Sequence, residues 1–232
     1  MKKFSGMQIG LFGGTFNPVH QCHLVVAEQV RQRLGLDQIV FVPAGDPPHK
    51  SEETILDSKH RLEMIRLAIQ PFREFSVSEV EVKRPGKSYA VDTLEKLTAS
   101  DYDGDHLFFM LGLDAFLEIG TWKNPEKLFS LCHFIVLSRK GFKFKDVIQV
   151  PLIPQVPEET LHQLDLQKMT QVDIPLSSGK QVHLLYVPHC EASSTQIRIL
   201  LSRGKQTKNL LPHSVESYII KNKLYQPLEA KP

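Results

Sequence analysis

Two histidines stand three positions apart, just after a pair of glycines near the start of the chain. Gly13 and Gly14 end an apolar run that begins at residue 7, and His20 and His23 open an amphipathic run that continues to residue 34. This order predicts a strand, a glycine turn and a helix, with both imidazoles on one face of the first helical turn. Glycines let the backbone approach a phosphate closely, and the N–H groups and dipole of a helix start attract anions. The segment therefore predicts binding of a polyphosphate and chemistry on it.

The same segment carries a resemblance to a known group of enzymes. Residues 13–23 read GGTFNPVHQCH, which resembles the pattern GGTF(D/N)PxHxxH of the nucleotidylyltransferase superfamily. Within that superfamily, the chain resembles the bacterial nicotinate-nucleotide adenylyltransferases. The resemblance implies that His20 and His23 lie near the α-phosphate of ATP, where charge shifts during transfer. It also implies an ATP-binding loop, in which the backbone makes most of the contacts, at Gly13, Gly14, Thr15 and Phe16.

Further segments match the same family in the same order along the chain. They are residues 41–50 (FVPAGDPPHK), residues 88–94 (SYAVDTL) with residues 110–114 (MLGLD) and 121–122 (TW), and residues 193–198 (SSTQIR). Prolines force the first segment into a rigid extended loop that delivers His49 and Lys50. In the last segment, Ser193 predicts a helix cap to which Gln196 reaches back. The resemblance covers residues 7–138 and 182–225.

The resemblance implies a role for each of these segments. Lys50 and Arg198 join the two histidines as catalytic residues that contact phosphates. The ATP site gains Gly112, Asp114, Ser193 and Thr195, and the mononucleotide site consists of Ser88, Tyr89, Ala90 and Trp122, with Trp122 stacked on the nicotinate ring. No metal ligand from the protein is expected, because Mg²⁺ arrives with the β- and γ-phosphates of ATP and keeps several waters.

Ordinary structural roles compete with each of these assignments. Backbone carbonyls could satisfy two histidines at a helix start, Lys50 could be a solvated loop residue, and Asp114 could cap a helix. The single tryptophan, Trp122, would be a core residue in most proteins. Zinc binding by the paired histidines has weak support, because no third ligand stands nearby in the sequence.

Three positions depart from the family pattern. Cys22 replaces the usual glycine between the histidines, Asn17 replaces the commoner aspartate, and Ala90 stands where bacterial relatives often have threonine beside the pyridine carboxylate. A side chain at position 22 could shift the nucleotide. With alanine at position 90, the contact to a pyridine carboxylate would depend on backbone N–H groups.

Composition bounds the class of protein. The chain has 232 residues, of which 41% are hydrophobic, and this predicts one globular domain over residues 1–232. A net charge of +2 gives no reason to expect binding to nucleic acid or to a membrane surface. Three cysteines without a Cys-x-x-Cys pair predict a reduced, cytoplasmic location with no disulfide framework and no zinc site. The basic N-terminus lacks the apolar stretch of a signal peptide, and no apolar run is long enough to cross a membrane.

The apolar patterns predict alternating strands and helices. Strands are expected at residues 7–12, 38–42, 75–82, 106–111, 133–138 and 182–187, and helices at residues 20–34, 58–70, 89–99, 114–119, 125–131, 194–202 and 212–221. This alternation predicts an α/β fold with a Rossmann-like, doubly wound parallel sheet that binds ligands at the C-terminal ends of its strands. Residues 139–181 break the rhythm and are predicted to be an insertion, a lid or an oligomer contact, while residues 226–232 form a tail.

The resemblance implies transfer of an adenylyl group from ATP to nicotinate mononucleotide, giving nicotinate adenine dinucleotide and pyrophosphate. The sequence leaves alternatives open: dual or nicotinamide-mononucleotide specificity, a pantetheine-phosphate adenylyltransferase, or a noncatalytic nucleotide-binding regulator. Pantetheine-phosphate adenylyltransferases share the first motif, but they are shorter and lack the PPHK loop and the SSTxIR ending. The sequence leaves open whether the chain forms a homo-oligomer.

Overall fold

Seven strands form one sheet in the computed structural model, which describes residues 4, 6–47, 55–188 and 190–226. The strands are β1 (Ile9–Gly14), β2 (Gln38–Pro43), β3 (Phe75–Val77), β4 (Leu107–Gly112), β5 (His133–Leu137), β6 (Gln171–Pro175) and β7 (Gln181–Leu185). Their order across the sheet is β3-β2-β1-β4-β5-β7-β6. All neighbouring strands are parallel except β6 and β7, which are antiparallel. The predicted α/β class with a doubly wound parallel sheet is confirmed, with one antiparallel strand, β6, at the edge of the sheet.

Six helices lie between these strands in the described chain, and two follow the last strand. They are α1 (Gln21–Leu34), α2 (Ser58–Ile69), α3 (Ala90–Ser100), α4 (Leu113–Leu117), α5 (Pro125–Leu131), α6 (Glu158–Asp165), α7 (Ser194–Ser202) and α8 (His213–Lys221). Helix α1 ends as predicted at Gly35, whose φ of 63° is the left-handed conformation that glycine adopts most easily. In the described residues, no helix combines the length and apolar character that crossing a bilayer requires.

The sheet has a hydrophobic core on each face. Along β4, Leu107, Phe109 and Leu111 belong to one buried cluster, while Met110 belongs to the other. Helices α3 and α5 pack on the first face and helices α1, α2 and α8 on the second. The inner strands are buried on both faces, which explains their nearly continuous apolar sequences.

The order of strands reverses at the centre of the sheet. The chain moves from β1 to β2 on one side, and later returns to place β4 on the other side of β1. A crevice opens where the carboxyl ends of such strands diverge, and doubly wound proteins bind ligands there. Gly14 ends β1 and Gly112 ends β4, so both predicted ATP-binding segments reach this crevice.

Several element boundaries differ from the sequence expectation. Strand β3 ends at Val77 instead of residue 82, because residues 80–83 form a turn. The segment 139–181 contains a 3₁₀ helix (Phe144–Gln149), helix α6 and strand β6, which extends the same sheet at its edge. The sequence analysis missed β6 because a five-residue edge strand with alternating polar residues and a terminal proline gives only a weak pattern.

The expectation of no disulfide is wrong. Cys22 in the first turn of α1 is bonded to Cys190 in the loop before α7, with 5.7 Å between their Cα atoms. The pairing joins residues 168 positions apart, and only the folded topology brings them together. The third cysteine, Cys132, is fully buried, and burial raises the pKa of its thiol to about 12. The cytoplasmic location stays a prediction.

Candidate active site

The turn after β1 presents its backbone to the crevice. Phe16 has a φ of 48° and is buried, with its ring in edge contact with Phe12 and His23 at centroid distances of 5.6 and 5.0 Å. A Cβ atom at Gly13 would lie only 3.1 Å from the ring of Phe109, so this position favours glycine. With the Phe16 side chain in the core, the turn can bind a ligand chiefly through its backbone, as the sequence analysis expected.

The two histidines at the start of α1 lie against each other. Their rings stack with centroids 3.7 Å apart, and the backbone N–H of His20 donates a hydrogen bond of 3.2 Å to Nδ1 of His23. Because Nδ1 of His23 is an acceptor, the proton of the neutral ring is on Nε2. This hydrogen bond therefore puts the N–H of the His23 imidazole on Nε2 at the helix start.

His20 is a neutral imidazole at physiological pH. Its side chain is buried, and burial, together with the positive charge of Arg139, lowers its pKa from 6.5 to about 4. Its Nδ1 atom is buried and has no hydrogen-bond partner among the described residues. An unpaired polar atom costs free energy in such a place, so a bound ligand that pairs with it would be favoured.

The start of α7 is fastened to the start of α1. Ser193 caps α7 by accepting a hydrogen bond from the backbone N–H of Gln196 at 3.2 Å, and Ser194 Oγ donates to the carbonyl of Pro18 at 2.9 Å. Arg198 donates to the carbonyl of Asn17 at 2.8 Å and to Thr195 Oγ1 at 3.3 Å. The predicted return bond from the Gln196 side chain is absent among the described residues, because that side chain is exposed.

These groups surround a polar cavity of about 210 Å³. It is lined by Thr15, Phe16, Asn17, His20, His23, Ile55, Arg139, Ser193, Ser194, Thr195 and Arg198. Two guanidinium groups, several hydroxyls and two helix starts make this a place where an anion such as a polyphosphate would be stabilised.

An apolar cavity of about 330 Å³ lies on the other side of the turn. Its walls include Val42, Phe109 and Leu111 from the sheet and the predicted mononucleotide residues Ser88, Tyr89, Ala90 and Trp122. The indole of Trp122 is half-buried and offers a flat surface for stacking, and α3 begins at Ala90 on the same wall. This combination suits a planar ring that carries a negative substituent.

Ser88 stabilises the loop after β2 beside the apolar cavity. Its hydroxyl accepts hydrogen bonds from the backbone N–H groups of Gly45 (2.9 Å) and Asp46 (3.2 Å), and so it holds the loop after β2. Glu81 lies alongside, with its carboxylate accepting a 2.7 Å hydrogen bond from Thr93. Burial raises the pKa of the Glu81 carboxyl.

Asp114 and Arg139 form a charged pair between the carboxyl ends of β4 and β5. Arg139 Nε lies 3.6 Å from Asp114 Oδ2, and both side chains are partly exposed. Asp114 is inside the first turn of α4, whose cap is Gly112, so it does not act as the cap that the sequence analysis considered. Lys50 lies outside the described residues, and its role stays a prediction.

Three further residues at the site were not predicted from the sequence: Arg61, Glu81 and Arg139. Arg139 follows β5 by two positions, and its place at the carboxyl end of a parallel strand could have identified it. Glu81 and Arg61 gave no such signal, because charged residues in a turn or on an amphipathic helix usually face water.

The two cavities meet at one residue. Thr15 lines both the polar cavity and the apolar cavity, whereas Gly13 and Gly14 before it line only the apolar cavity. The two cavities are therefore adjacent. Such an arrangement suits the joining of two nucleotides across a phosphate.

The fold and the site define a nucleotide-binding transferase, and comparison with known sequences agrees. The sequence model of the cytidylyltransferase-like family matches residues 11–199, and the chain belongs to this family. The chain is 39% identical over 219 residues to the probable nicotinate-nucleotide adenylyltransferase of Geotalea daltonii, covering 94% of this chain and 98% of the relative. The corresponding protein of Desulfatibacillum aliphaticivorans is also 39% identical, over 94% of this chain and all of the relative.

A solved structure shares the fold. Plasmodium falciparum nicotinic acid mononucleotide adenylyltransferase, complexed with NaAD, superposes with a TM-score of 0.67. The match covers 94% of this chain and 96% of that protein, at 20% identity. Within its family, the chain therefore groups with the nicotinate-nucleotide adenylyltransferases.

Proposed function

We propose that this protein transfers the adenylyl group of ATP to nicotinate mononucleotide, giving nicotinate adenine dinucleotide and pyrophosphate. The observation that carries the proposal is the meeting of the two cavities at Thr15. The polar cavity suits the triphosphate and the apolar cavity suits the pyridine ring. The relatives named for the same activity support this assignment.

The polar cavity accounts for binding and activation of ATP. Arg198 is held by the carbonyl of Asn17 and by Thr195, so its charge is fixed before a ligand arrives. Arg139 adds a second positive charge nearby. The leaving pyrophosphate gains negative charge during transfer, and preorganised cations and N–H donors stabilise that charge.

The paired histidines act as neutral hydrogen-bond donors at the α-phosphate. His20 is neutral because its pKa is about 4, and the hydrogen bond to Nδ1 of His23 directs the Nε2 proton of that ring away from the backbone. The 5′-phosphate of the mononucleotide is already an anionic nucleophile, so no general base is required. Catalysis then consists of in-line positioning and charge stabilisation.

A divalent metal fits this site through the substrate. The described residues gather no group of three histidine, cysteine or carboxylate side chains that could hold a metal ion, and the polar cavity is lined by cations and hydroxyls instead. Mg²⁺ bound to the β- and γ-phosphates would neutralise part of their charge. Arg198, Ser193 and Thr195 are the residues that would hold the phosphates that carry it.

The apolar cavity accounts for the acceptor. Trp122 supplies the stacking surface, and the backbone N–H groups at the start of α3 can bind the ring carboxylate, because a helix start favours negative charge. Ala90 offers no side-chain donor there, so nicotinamide mononucleotide is the second candidate acceptor.

The test is a pyrophosphate-release assay with ATP and a panel of acceptors, with the dinucleotide product identified by mass spectrometry. The panel contains both pyridine mononucleotides and phosphopantetheine. We expect release with nicotinate mononucleotide above all. Turnover with phosphopantetheine alone, or ATP binding without any turnover, would contradict the proposal.

Two histidine variants extend this assay to the mechanism. We expect His23→Ala to lower kcat by roughly 10²-fold or more while the affinity for ATP changes little, because the contact strengthens in the transition state. His162→Ala is the matched control, since His162 is exposed in α6. If His23→Ala turns over like this control, His23 is not part of the mechanism.

A further inference from the structure

Helix α2 carries a charged side chain that points into the protein. Arg61 is only 1% exposed and is the largest fully buried side chain among the described residues, although arginine is seldom buried completely. Neighbouring Arg66 on the same helix follows the ordinary pattern, with its guanidinium exposed and paired with Glu63 and Glu79. A buried guanidinium needs hydrogen bonds in place of water.

The guanidinium of Arg61 finds those bonds on three backbone carbonyls. Nη1 donates to Thr15 O at 2.8 Å, Nη2 to Gly45 O at 3.1 Å and Nε to Leu56 O at 2.9 Å. The first carbonyl belongs to the turn after β1, the second to the loop after β2, and the third to the segment that leads into α2. One side chain therefore connects the start of α2 with the loop after β2 and with the more distant turn after β1.

All three segments contribute walls of the candidate active site. Thr15 lines both cavities, Gly45 follows Ala44, which lines the apolar cavity, and Ile55, next to Leu56, lines the polar cavity. Gly45 is itself tightly fitted, because a Cβ atom there would collide with the carbonyl of Glu81. A change in the relative position of the two loops would move the two substrates relative to each other.

Only arginine can make this set of contacts. A guanidinium is a planar fork with five N–H donors that point in fixed and diverging directions, whereas a lysine ammonium is a single compact point. Burial lowers the pKa of Arg61, and the negative charges of Asp57 and Glu81 oppose that shift. The three carbonyl oxygens carry partial negative charges, and they surround the positively charged guanidinium of Arg61.

We propose that Arg61 is a positioning residue for adenylyl transfer, which holds the ATP-binding turn and the mononucleotide loop in register without touching either substrate. The proposal rests on the proposed function of the site. Its chemical basis is alignment: the attacking phosphate and the α-phosphate must be in line, and a displacement of about 1 Å can cost about 10²-fold in rate.

The test compares Arg61→Met and Arg61→Lys with the matched control Arg66→Met. Rates are expressed per folded molecule, with the folded fraction measured by circular dichroism at the assay temperature. We expect kcat to fall by about 10²-fold in Arg61→Met, whereas KM for each substrate changes less than about tenfold, because each loop still binds its own ligand. Arg61→Lys keeps the charge but loses the fork, and we expect it to lose at least about tenfold in kcat.

Chemical rescue separates positioning from general stability. In Arg61→Ala, millimolar guanidinium can enter the space left by the side chain and restore the three hydrogen bonds, so we expect kcat to rise with guanidinium and not with ammonium. If Arg61→Ala and Arg61→Met fail to fold, Arg61→Lys decides the question. Wild-type kcat per folded molecule in Arg61→Lys would overturn the proposal.

A measurement that does not depend on catalysis tests the positioning role of Arg61 separately from the proposed function. Hydrogen exchange of the backbone amides in residues 13–17 and 44–46 reports the order of the two loops directly. We expect faster exchange there in Arg61→Lys than in wild type, with no change in Arg66→Met. Unchanged exchange would overturn the positioning role, whereas a wild-type protein that releases no pyrophosphate would overturn only the proposed function.

Discussion

At the scale of single residues, the site depends on polar groups that have been taken out of water. His20 is buried against His23, and its burial, together with the positive charge of Arg139, lowers its pKa so that the imidazole stays neutral. A neutral ring can donate to a phosphate without a pH-dependent change of charge in the physiological range. The same burial makes the stability of the fold sensitive to acid.

We expect His20→Asn to reduce the acid sensitivity of folding. The pKa of His20 is about 4 in the folded state and 6.5 in the unfolded state, so between these values the unfolded chain binds the proton and the folded protein does not. Stability is therefore complete above about pH 6.5 and is lost as the pH falls towards about 4, by about 3 kcal/mol for this group. The Asn variant has no proton to bind at this position.

Urea unfolding of wild type and His20→Asn at neutral pH and at about pH 4.5 measures this difference. The wild type should lose more stability than the variant between the two conditions. Equal losses would show that His20 titrates alike in the folded and unfolded states. His162→Asn is the control, because that histidine is exposed and should change nothing.

At the scale of elements, the starts of α1 and α7 act as one unit. Hydrogen bonds from Ser194 to Pro18 and from Arg198 to Asn17 join them, and the disulfide between Cys22 and Cys190 adds a covalent link. The polar cavity lies between these two helix starts. Its shape therefore depends on how they are held together.

We expect Arg198→Ala to raise KM for ATP more than KM for the mononucleotide. The guanidinium lines the polar cavity and is fixed by Asn17 and Thr195, so its loss removes a preorganised charge from the phosphate side of the site. Arg203→Ala, just after the end of the same helix, is the control. A loss confined to the mononucleotide would contradict the assignment of the polar cavity to ATP.

Breaking the disulfide should weaken the connection between the starts of α1 and α7. We expect Cys190→Ser to lower the free energy of unfolding by about 2–4 kcal/mol, because the bond closes a long loop of the unfolded chain. A reductant should produce the same change in wild type and no further change in Cys190→Ser. The bonded Cys22 should resist alkylation until reductant is added, whereas equal labelling with and without reductant would show that the bond does not form.

At the scale of the whole molecule, the features that could be predicted are those with a local or repeated sequence pattern. Apolar runs gave the parallel strands, and the glycine turn at residues 13–14 gave the ligand edge of the sheet, because a doubly wound sheet binds there. Segments that match the family pattern, such as residues 88–90 and Trp122, lie around one cavity. Their roles in binding and catalysis stay predictions that the proposed experiments test.

The contacts of Arg61 and the disulfide pairing could not be predicted. In the sequence, Arg61 has the pattern of a solvated helix residue. Only the packing of α2 against two loops buries its guanidinium among their backbone carbonyls. Cys22 and Cys190 carry no spacing that marks a pair. In both cases the tertiary fold decides what a polar or reactive residue does, and sequence patterns report only local order.

The proposed function requires that the two adjacent cavities bind ATP and a pyridine mononucleotide that carries a carboxylate. The most direct test compares kcat/KM for nicotinate mononucleotide and nicotinamide mononucleotide in one buffer. A charged hydrogen bond to the backbone at the start of α3 is worth about 1.5–3 kcal/mol, which corresponds to roughly 10- to 100-fold discrimination. Because Ala90 provides no side-chain donor, we expect a preference for the nicotinate form in the lower part of that range. A ratio near one would mean that the site accepts both acceptors alike, and a ratio that favours the amide would contradict the account.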